Sequence, residues 1–191
     1  MPLHWFFVLS YKHSMQIIPI KTRILTPPQD DLFAVLDETL TDVVEGDIVV
    51  VTSKVVSIHE GRCVSIEGTE KETLIRGGAE YVFEQQNDRK PLTLVHNALI
   101  SSSGIDESNG QGYYILLPEK PFDSAREIHT YLTKKFNLKN CGVIITDSHS
   151  LPLRYGAMSI SIGCWGFVPV EDHKGREDLF GRVMKYSSMN I

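Results

Sequence analysis

The chain has 191 residues, 42% of them hydrophobic and 23% charged, with a formal net charge of -5. That length suits one good domain or at most two small ones, and the ordinary apolar content lets burial offset the entropy of ordering the chain. A net negative chain with no basic block lacks the electrostatic footprint of a general nucleic-acid binder, although a few Lys and Arg around a metal suffice for a small phosphate. The three cysteines, Cys63, Cys141 and Cys164, are widely spaced and odd in number, with no Cys-x-x-Cys pair. They argue against a zinc site of the usual spacing and against a disulfide framework, so buried free thiols in a reducing cytoplasm are expected.

In chain order, residues 1–14 carry a short apolar patch without a basic n-region or a small-residue cleavage site. They read as neither a signal peptide nor a membrane span: either Met15 is the natural start, or residues 1–14 are a loosely packed extension outside the fold. Residues 17–25 alternate partway and read as a strand, stopped by Pro27 and Pro28. Leu32, Phe33, Val35, Leu36 and Leu40 predict an amphipathic helix over 30–40. After a Gly46-Asp47 turn, the β-branched run 48–56 predicts a strand broken by Thr52-Ser53-Lys54. Lys54 has two readings there: a solvent-facing lysine on an edge strand, or an ammonium beside acidic loops or a phosphate. Thr69-Glu70-Lys71-Glu72 is a capping-box pattern opening a helix that Gly77-Gly78 interrupts or ends, and residues 79–83 fit helix or strand. Residues 91–100 and 112–117 read as two strands joined by the Gly104–Gly110 loop into a long hairpin-like excursion. The clearest helix spans 121–137, with Asp123 or Ser124 as its cap and Ile128, Tyr131, Leu132 and Phe136 on one face. Strands come next over 142–146 and 158–162, then a last short helix over 177–185. Strands and helices mix without a steady βαβ rhythm, which predicts an α+β fold: mixed, largely antiparallel sheets with flanking helices in a single domain over 15–191.

Two apolar runs end on an acid: residues 94–100 lead into the loop of Asp106, and residues 143–146 stop at Asp147. Two carboxylates brought together repel, and a divalent cation removes that conflict. Ser108, Asn109, Thr146 and Ser148 add hard oxygen donors suited to magnesium or manganese. The same Gly-x-Asp-x-Ser-Asn-Gly composition also makes an ordinary turn. Arg154, in a Pro-containing loop, is either a bidentate clamp for phosphate or carboxylate or a surface arginine, and His149 is a loop histidine rather than a base. The charge run 171–178 reads as a solvated loop, from which Arg176 and Asp178 could face a substrate across Gly175. No Gly-x-x-x-x-Gly-Lys-Ser/Thr, Gly-x-Gly-x-x-Gly or Gly-x-Ser-x-Gly motif occurs.

A set of collinear motifs resembles the coenzyme F-420:L-glutamate ligase family, the gamma-glutamyl ligases of the deazaflavin coenzyme. These are Gly46-Asp47, Ser53-Lys54-Val55-Val56-Ser57, Glu60-Gly61-Arg62, Ser103-Gly104-Ile105-Asp106 with Ser108-Asn109, Leu116-Leu117-Pro118 and Ile145-Thr146-Asp147-Ser148, then Pro152, Arg154 and Gly156, and Gly175-Arg176-x-Asp178 with Gly181-Arg182. The similarity runs from about residue 15 to 186, and the order of the motifs carries it, not any one of them. The resemblance implies a gamma-glutamyl ligase-like fold and a GTP-dependent amide ligase, in which GTP phosphorylates a substrate carboxylate and the amine of L-glutamate displaces the phosphate. It implies magnesium or manganese on Asp106, Asp147 and Ser148; within such an activity the expected nucleotide contacts are Ser53, Lys54, Ser108, Asn109 and Arg176, and the expected catalytic residues are Lys54 and Arg154. It also implies an anionic small-molecule acceptor, a homodimer, and no membrane or nucleic-acid partner. Two departures stand out. Where the family usually has Gly-Arg-Pro-Trp-Arg, this chain has Ser150-Leu151-Pro152-Leu153-Arg154, and relatives continue into a further helical segment that this chain is expected to lack. The alternatives are a non-catalytic nucleotide- and metal-binding relative, or a metal-dependent phosphohydrolase in which water takes the place of the amine.

Overall fold

Val49, Val50 and Val51 sit in a β-branched run that favours a pleated strand, and in the computed structural model this run is β1 (Ile48–Thr52). The structure describes residues 15–84, 90–150 and 153–190. The expected extension over 1–14 lies outside the described residues, as do Leu151 and Pro152 of the altered loop. β1 pairs in parallel with β7 (Gly142–His149), Val50 facing Ile144 and Thr52 facing Thr146. β8 (Met158–Trp165) pairs antiparallel on the other side of β7, with a register shift between Ile145 and Thr146. The sheet order is therefore β1-β7-β8, with β7 in the centre.

One face of this sheet is covered by α4 (Pro121–Phe136), whose Ala125, Ile128 and Leu132 pack on Val143, Ile145 and Ile162. Pro121 suits the first helical position because that N–H has no helical partner to lose. Asn137 ends the helix in the left-handed conformation with its N–H on Thr133 O. The helix meets β8 closely: a Cβ at Gly163 would stand 2.5 Å from the Pro121 carbonyl carbon and oxygen. The same core takes in α1 (Leu32–Thr39), capped by Asp31 accepting from Phe33 N at 2.8 Å, and α2 (Ser53–His59). Three smaller sheets surround it. β3 (Tyr81–Phe83), β4 (Leu92–Val95) and β5 (Ala98–Ser101) form one. β2 (Cys63–Ser65) with β6 (Tyr113–Ile115), and β9 (Val170–Asp172) with β10 (Ser188–Asn190), form the others. α3 (Lys71–Gly78) packs Ile75 against Ile105 and Tyr114. Apart from the β1–β7 pair, the ladders are antiparallel, so the α+β expectation holds. Cys141 and Cys164 are buried free thiols as expected, while Cys63 is half-buried.

Several local expectations differ from the structure. Residues 17–25 form no strand: Ile17 and Ile24 are 81% and 82% exposed, and no described edge accepts them. The run 48–56 ends as a strand at Thr52, because packing of Val56 in the core turns Ser53 onward into α2 despite its β-branched residues. Residues 91–100 form a hairpin, reversing at His96 and Asn97 with φ of 51° and 59°, the positive pair that a two-residue turn with the strands' own twist requires. The expected excursion is not a hairpin, since β5 and β6 belong to different sheets. Glu70 stands at the N-cap of α3 without a side-chain bond, so no capping box forms. Lys120 is the N-cap residue of α4, and the Ser124 hydroxyl donates to Glu60 instead. Residues 177–185 are turns around a Glu177–Val183 bridge: the Asp178 carboxylate accepts from Phe180 N and Arg182 N, drawing the backbone away from a helix.

Among the described residues no helix is long and apolar enough to cross a membrane. Two substitutions test the packing. Gly163→Ala must push α4 off β8 and is expected to cost about 1–3 kcal/mol of stability by thermal or urea unfolding. Ser57→Ala removes a hydroxyl that is fully buried with no hydrogen-bond partner among the described residues, so it is expected to be neutral or stabilising in the same assay. A third test is electrostatic. Bonds from the Arg23 guanidinium and then the Thr26 amide hold Asp30 well below the usual carboxylate range. A depressed folded value contributes stability above the unfolded pKa, which is lost as pH falls. Asp30→Asn should therefore melt below the parent at pH 7, with the gap narrowing once the pH drops under about 4.

Candidate active site

The site originates in one register. Thr52 faces Thr146 across parallel strands, so Ser53, where the chain leaves β1, comes beside Asp147, the next residue of β7, which stays in the sheet opposite Ile160 of β8. Ser53 opens α2, and its Oγ donates to Asp147 Oδ1 at 2.6 Å. The neighbouring Lys54 reaches the loop after β5. Its Nζ lies 2.6 Å from Asp106 Oδ2 and donates to Ser108 O at 2.8 Å and Ser108 Oγ at 3.2 Å. Lys54 is thus an ammonium beside an acidic loop, half-buried in the first turn of a helix, and not an edge-strand lysine.

Asp106 is aimed by a strained turn. Ser102, Ser103 and Gly104 have φ of 53°, 53° and 68°, three successive left-handed residues. That conformation costs non-glycine residues about 1–2 kcal/mol each, and buried bonds hold it. Ser103 N donates to Thr93 Oγ1 at 2.9 Å, and Ser103 Oγ donates to Ile75 O at 2.7 Å. A side chain at Gly104 would meet Leu117 at 2.6 Å. Beyond the turn, Asp106 exchanges both backbone bonds with Ile115, and its carboxylate accepts from Ser108 N at 2.8 Å and Ser108 Oγ at 3.0 Å. Sequence reasoning missed the Thr93–Ser103 support. Its only sequence signal is the run of three turn-prone serines, Ser101–Ser103, before Gly104, which says nothing of Thr93.

Asp106 and Asp147 line one cavity of ≈160 Å³ with Thr52, Ser53, Lys54 and Ser148. Their environments differ. Burial alone would raise Asp106, but the Lys54 ammonium and the two Ser108 donors outweigh it and hold the carboxyl below its ordinary value. Burial raises Asp147, and the charge of Asp106 adds to that rise against the opposing bonds from Ser53 and the Ser148 backbone. The two acids therefore repel across the cavity. The donor set fits a hard divalent cation: two carboxylates with the hydroxyls of Ser53, Ser108 and Ser148. Among the described residues no cluster of three or more His, Cys, Asp and Glu forms around any such position. Magnesium is commonly held by one or two carboxylates, completing its shell with water and substrate phosphate.

The remaining expected residues lie outside the lining of this cavity, among them Ser108, which is bonded to Asp106 and Lys54. Asn109 is exposed in the turn after Ser108, at φ 55°. Arg154 is exposed, its contact being Met158 Sδ at 3.7 Å. Arg176, on the excursion between β9 and β10, pairs with Glu171 at 2.6 Å. His149 is half-buried at the end of β7.

The profile of the F420-0:Gamma-glutamyl ligase family matches residues 19–191. A coenzyme F420:L-glutamate ligase of Methanopyrus kandleri is 29% identical over 199 residues, covering 90% of this chain and 75% of that protein. A protein of the same name from Methanocaldococcus jannaschii is 29% identical over 175 residues, with coverages of 86% and 67%. Another, from Halorubrum lacusprofundi, is 30% identical over 185 residues, with coverages of 85% and 71%. With both loops of the acidic pair inside the matched region, the chain belongs to the F420-0:gamma-glutamyl ligase family, a family of enzymes.

Proposed function

We propose that this protein is a GTP- and divalent-metal-dependent glutamate ligase of coenzyme F420 biosynthesis. It would join the amine of L-glutamate to a carboxylate of the F420 precursor or a related anionic acceptor. The observation that supports the reading is the convergence of Asp106 and Asp147, from two separate segments of the chain, on one cavity beside Lys54. Ligase relatives match across both segments.

In this reading Asp106, Asp147 and Ser148 hold magnesium or manganese, with Ser53 fixing the Asp147 carboxylate through its hydroxyl. When bound, the metal supplies charge neutralisation for the triphosphate. Lys54 and Ser108 stand at the mouth of the same site to receive nucleotide phosphate oxygens, Lys54 as a mobile point charge. The acceptor carboxylate attacks the γ-phosphorus of GTP. GDP leaves and an acyl phosphate forms. The glutamate amine then attacks the acyl carbon and phosphate departs, the amine proton passing to solvent. Catalysis of this kind is mainly positioning and charge stabilisation, which a rigid strand end and a pinned turn provide. Arg154, Arg176 and Asn109 belong to this proposal as contacts to the anionic substrates from outside the metal cavity.

We also propose a homodimer. Ile17, Ile24, Leu179, Phe180 and Tyr186 are large apolar side chains almost fully in solvent, exposed apolar area that a second copy would cover. Light scattering at micromolar concentration should give twice the monomer mass.

The ligation assay is direct: the protein with GTP, magnesium or manganese, L-glutamate and the coenzyme precursor should yield a product heavier by one glutamyl residue. Asp106→Asn and Asp147→Asn should each reduce the rate by more than about 100-fold with the fold intact, since even removing a hydrogen-bonding partner of a metal ligand typically costs about 10–100-fold. GDP release without a heavier product would replace the ligase with a phosphohydrolase. Metal-dependent GTP binding with neither would leave a binding relative.

A further inference from the structure

The metal position and the Lys54 ammonium have a claim on the same atoms. Asp106 has two carboxylate oxygens. Oδ1 accepts from Ser108 N, while Oδ2 accepts from Ser108 Oγ and lies 2.6 Å from Lys54 Nζ. Lys54 commits all of its donors to this corner, one to the carboxylate and two to Ser108. A divalent ion shared by Asp106 and Asp147 must approach these same oxygens, and at that distance from the ammonium the two cations repel strongly in a partly buried site. The lysine also has a way out. Its stem has four rotatable bonds and its side chain is about a quarter exposed. Among the described residues Asp147 has no ammonium partner: its side chain accepts from the neutral Ser53 hydroxyl, and the Asp106 charge weighs on it. The single ammonium neutralises one carboxylate and leaves the other to be satisfied.

We infer that Lys54 is a resident counter-ion for Asp106, one that a divalent metal displaces and that swings out to meet a nucleotide phosphate. The inference rests on the metal and nucleotide reading above and adds an order to it. Metal and nucleotide enter together, because the ion that evicts the ammonium and the phosphate that receives it arrive as one complex. Metal alone binds weakly, since nothing then compensates the displaced lysine. Lys54 thereby opposes the binding of free metal and supports the binding of metal–nucleotide. A lysine that merely orders the 106–109 loop would support both.

Manganese binding to the full chain without nucleotide, measured by the electron paramagnetic resonance of free Mn²⁺, separates these cases without reference to activity. Lys54→Met keeps the length of the stem and removes the charge. It is expected to bind Mn²⁺ about tenfold tighter than the parent, the scale of one bond to a charged group. Lys54→Arg, which keeps the charge, should bind no tighter than the parent. With GTP present the sign reverses, and Lys54→Met should hold Mn²⁺–GTP more weakly. Asp106→Asn should lose Mn²⁺ binding in every background. Unchanged or weaker Mn²⁺ binding by a folded Lys54→Met, judged by its unfolding transition, overturns the counter-ion role while the parent's own binding keeps the metal site standing. No Mn²⁺ binding by parent or Lys54→Met, with or without GTP, overturns the metal-site reading and this inference with it.

Discussion

The parallel pairing of β1 with β7 is the constraint on which the site depends. It is the one parallel ladder among the described strands, and its register sets Thr52 opposite Thr146. Parallel strands point the same way, so the chain leaving β1 and the residues that end the apolar part of β7 emerge at the same edge. Ser53 meets Asp147 there for that reason. A one-residue slip would turn Asp147 to the opposite face and bury or strand its carboxylate. The slip is resisted by Val143 and Ile145, which are fully buried against α4 and would themselves be turned outward.

A second structure delivers the other acid. Asp106 comes from a left-handed turn whose backbone is unfavourable by itself and is kept by bonds to Thr93 and Ile75 and by the close approach of Gly104 to Leu117. Strain held by buried partners is a common way to fix a functional carboxylate in place. The two supports are independent, one a sheet register and the other a pinned turn. Between them lie two carboxylates of unlike character. Asp106 is compensated by an ammonium; Asp147 is compensated by a hydroxyl and lifted by burial. In the proposed function, that inequality is what would favour a further cation at this point.

Much of this was legible in the sequence where the cause is local. Ile128 and Leu132 recur at helical spacing, and α4 spans Pro121–Phe136 against an expectation of 121–137. Asp106 and Asp147 were visible as acids ending apolar runs. Where a partner decides, the residues alone did not suffice. The alternation in 17–25 resembles a strand, but a strand needs an edge, and none of the described edges accepts it. Val55 and Val56 favour a strand intrinsically, yet the core takes Val56 on a helix. Lys54 could not be placed without knowing that the chain bends into α2 at Ser53; on an extended chain it faces water, and on the helix it faces Asp106. The Asp178 carboxylate stops a helix over 177–185 by binding backbone amides two and four residues ahead, a competition that apolar spacing does not reveal.

In the proposed function the two acids share one ion in the presence of nucleotide. Crystals grown with Mn²⁺ and GTP, with anomalous scattering collected near the manganese edge, test it most directly. The account predicts a peak within about 2.5 Å of carboxylate oxygens of both Asp106 and Asp147, the range of oxygen ligation to such ions. A peak coordinated by neither acid, with GTP bound elsewhere on the chain, would contradict it.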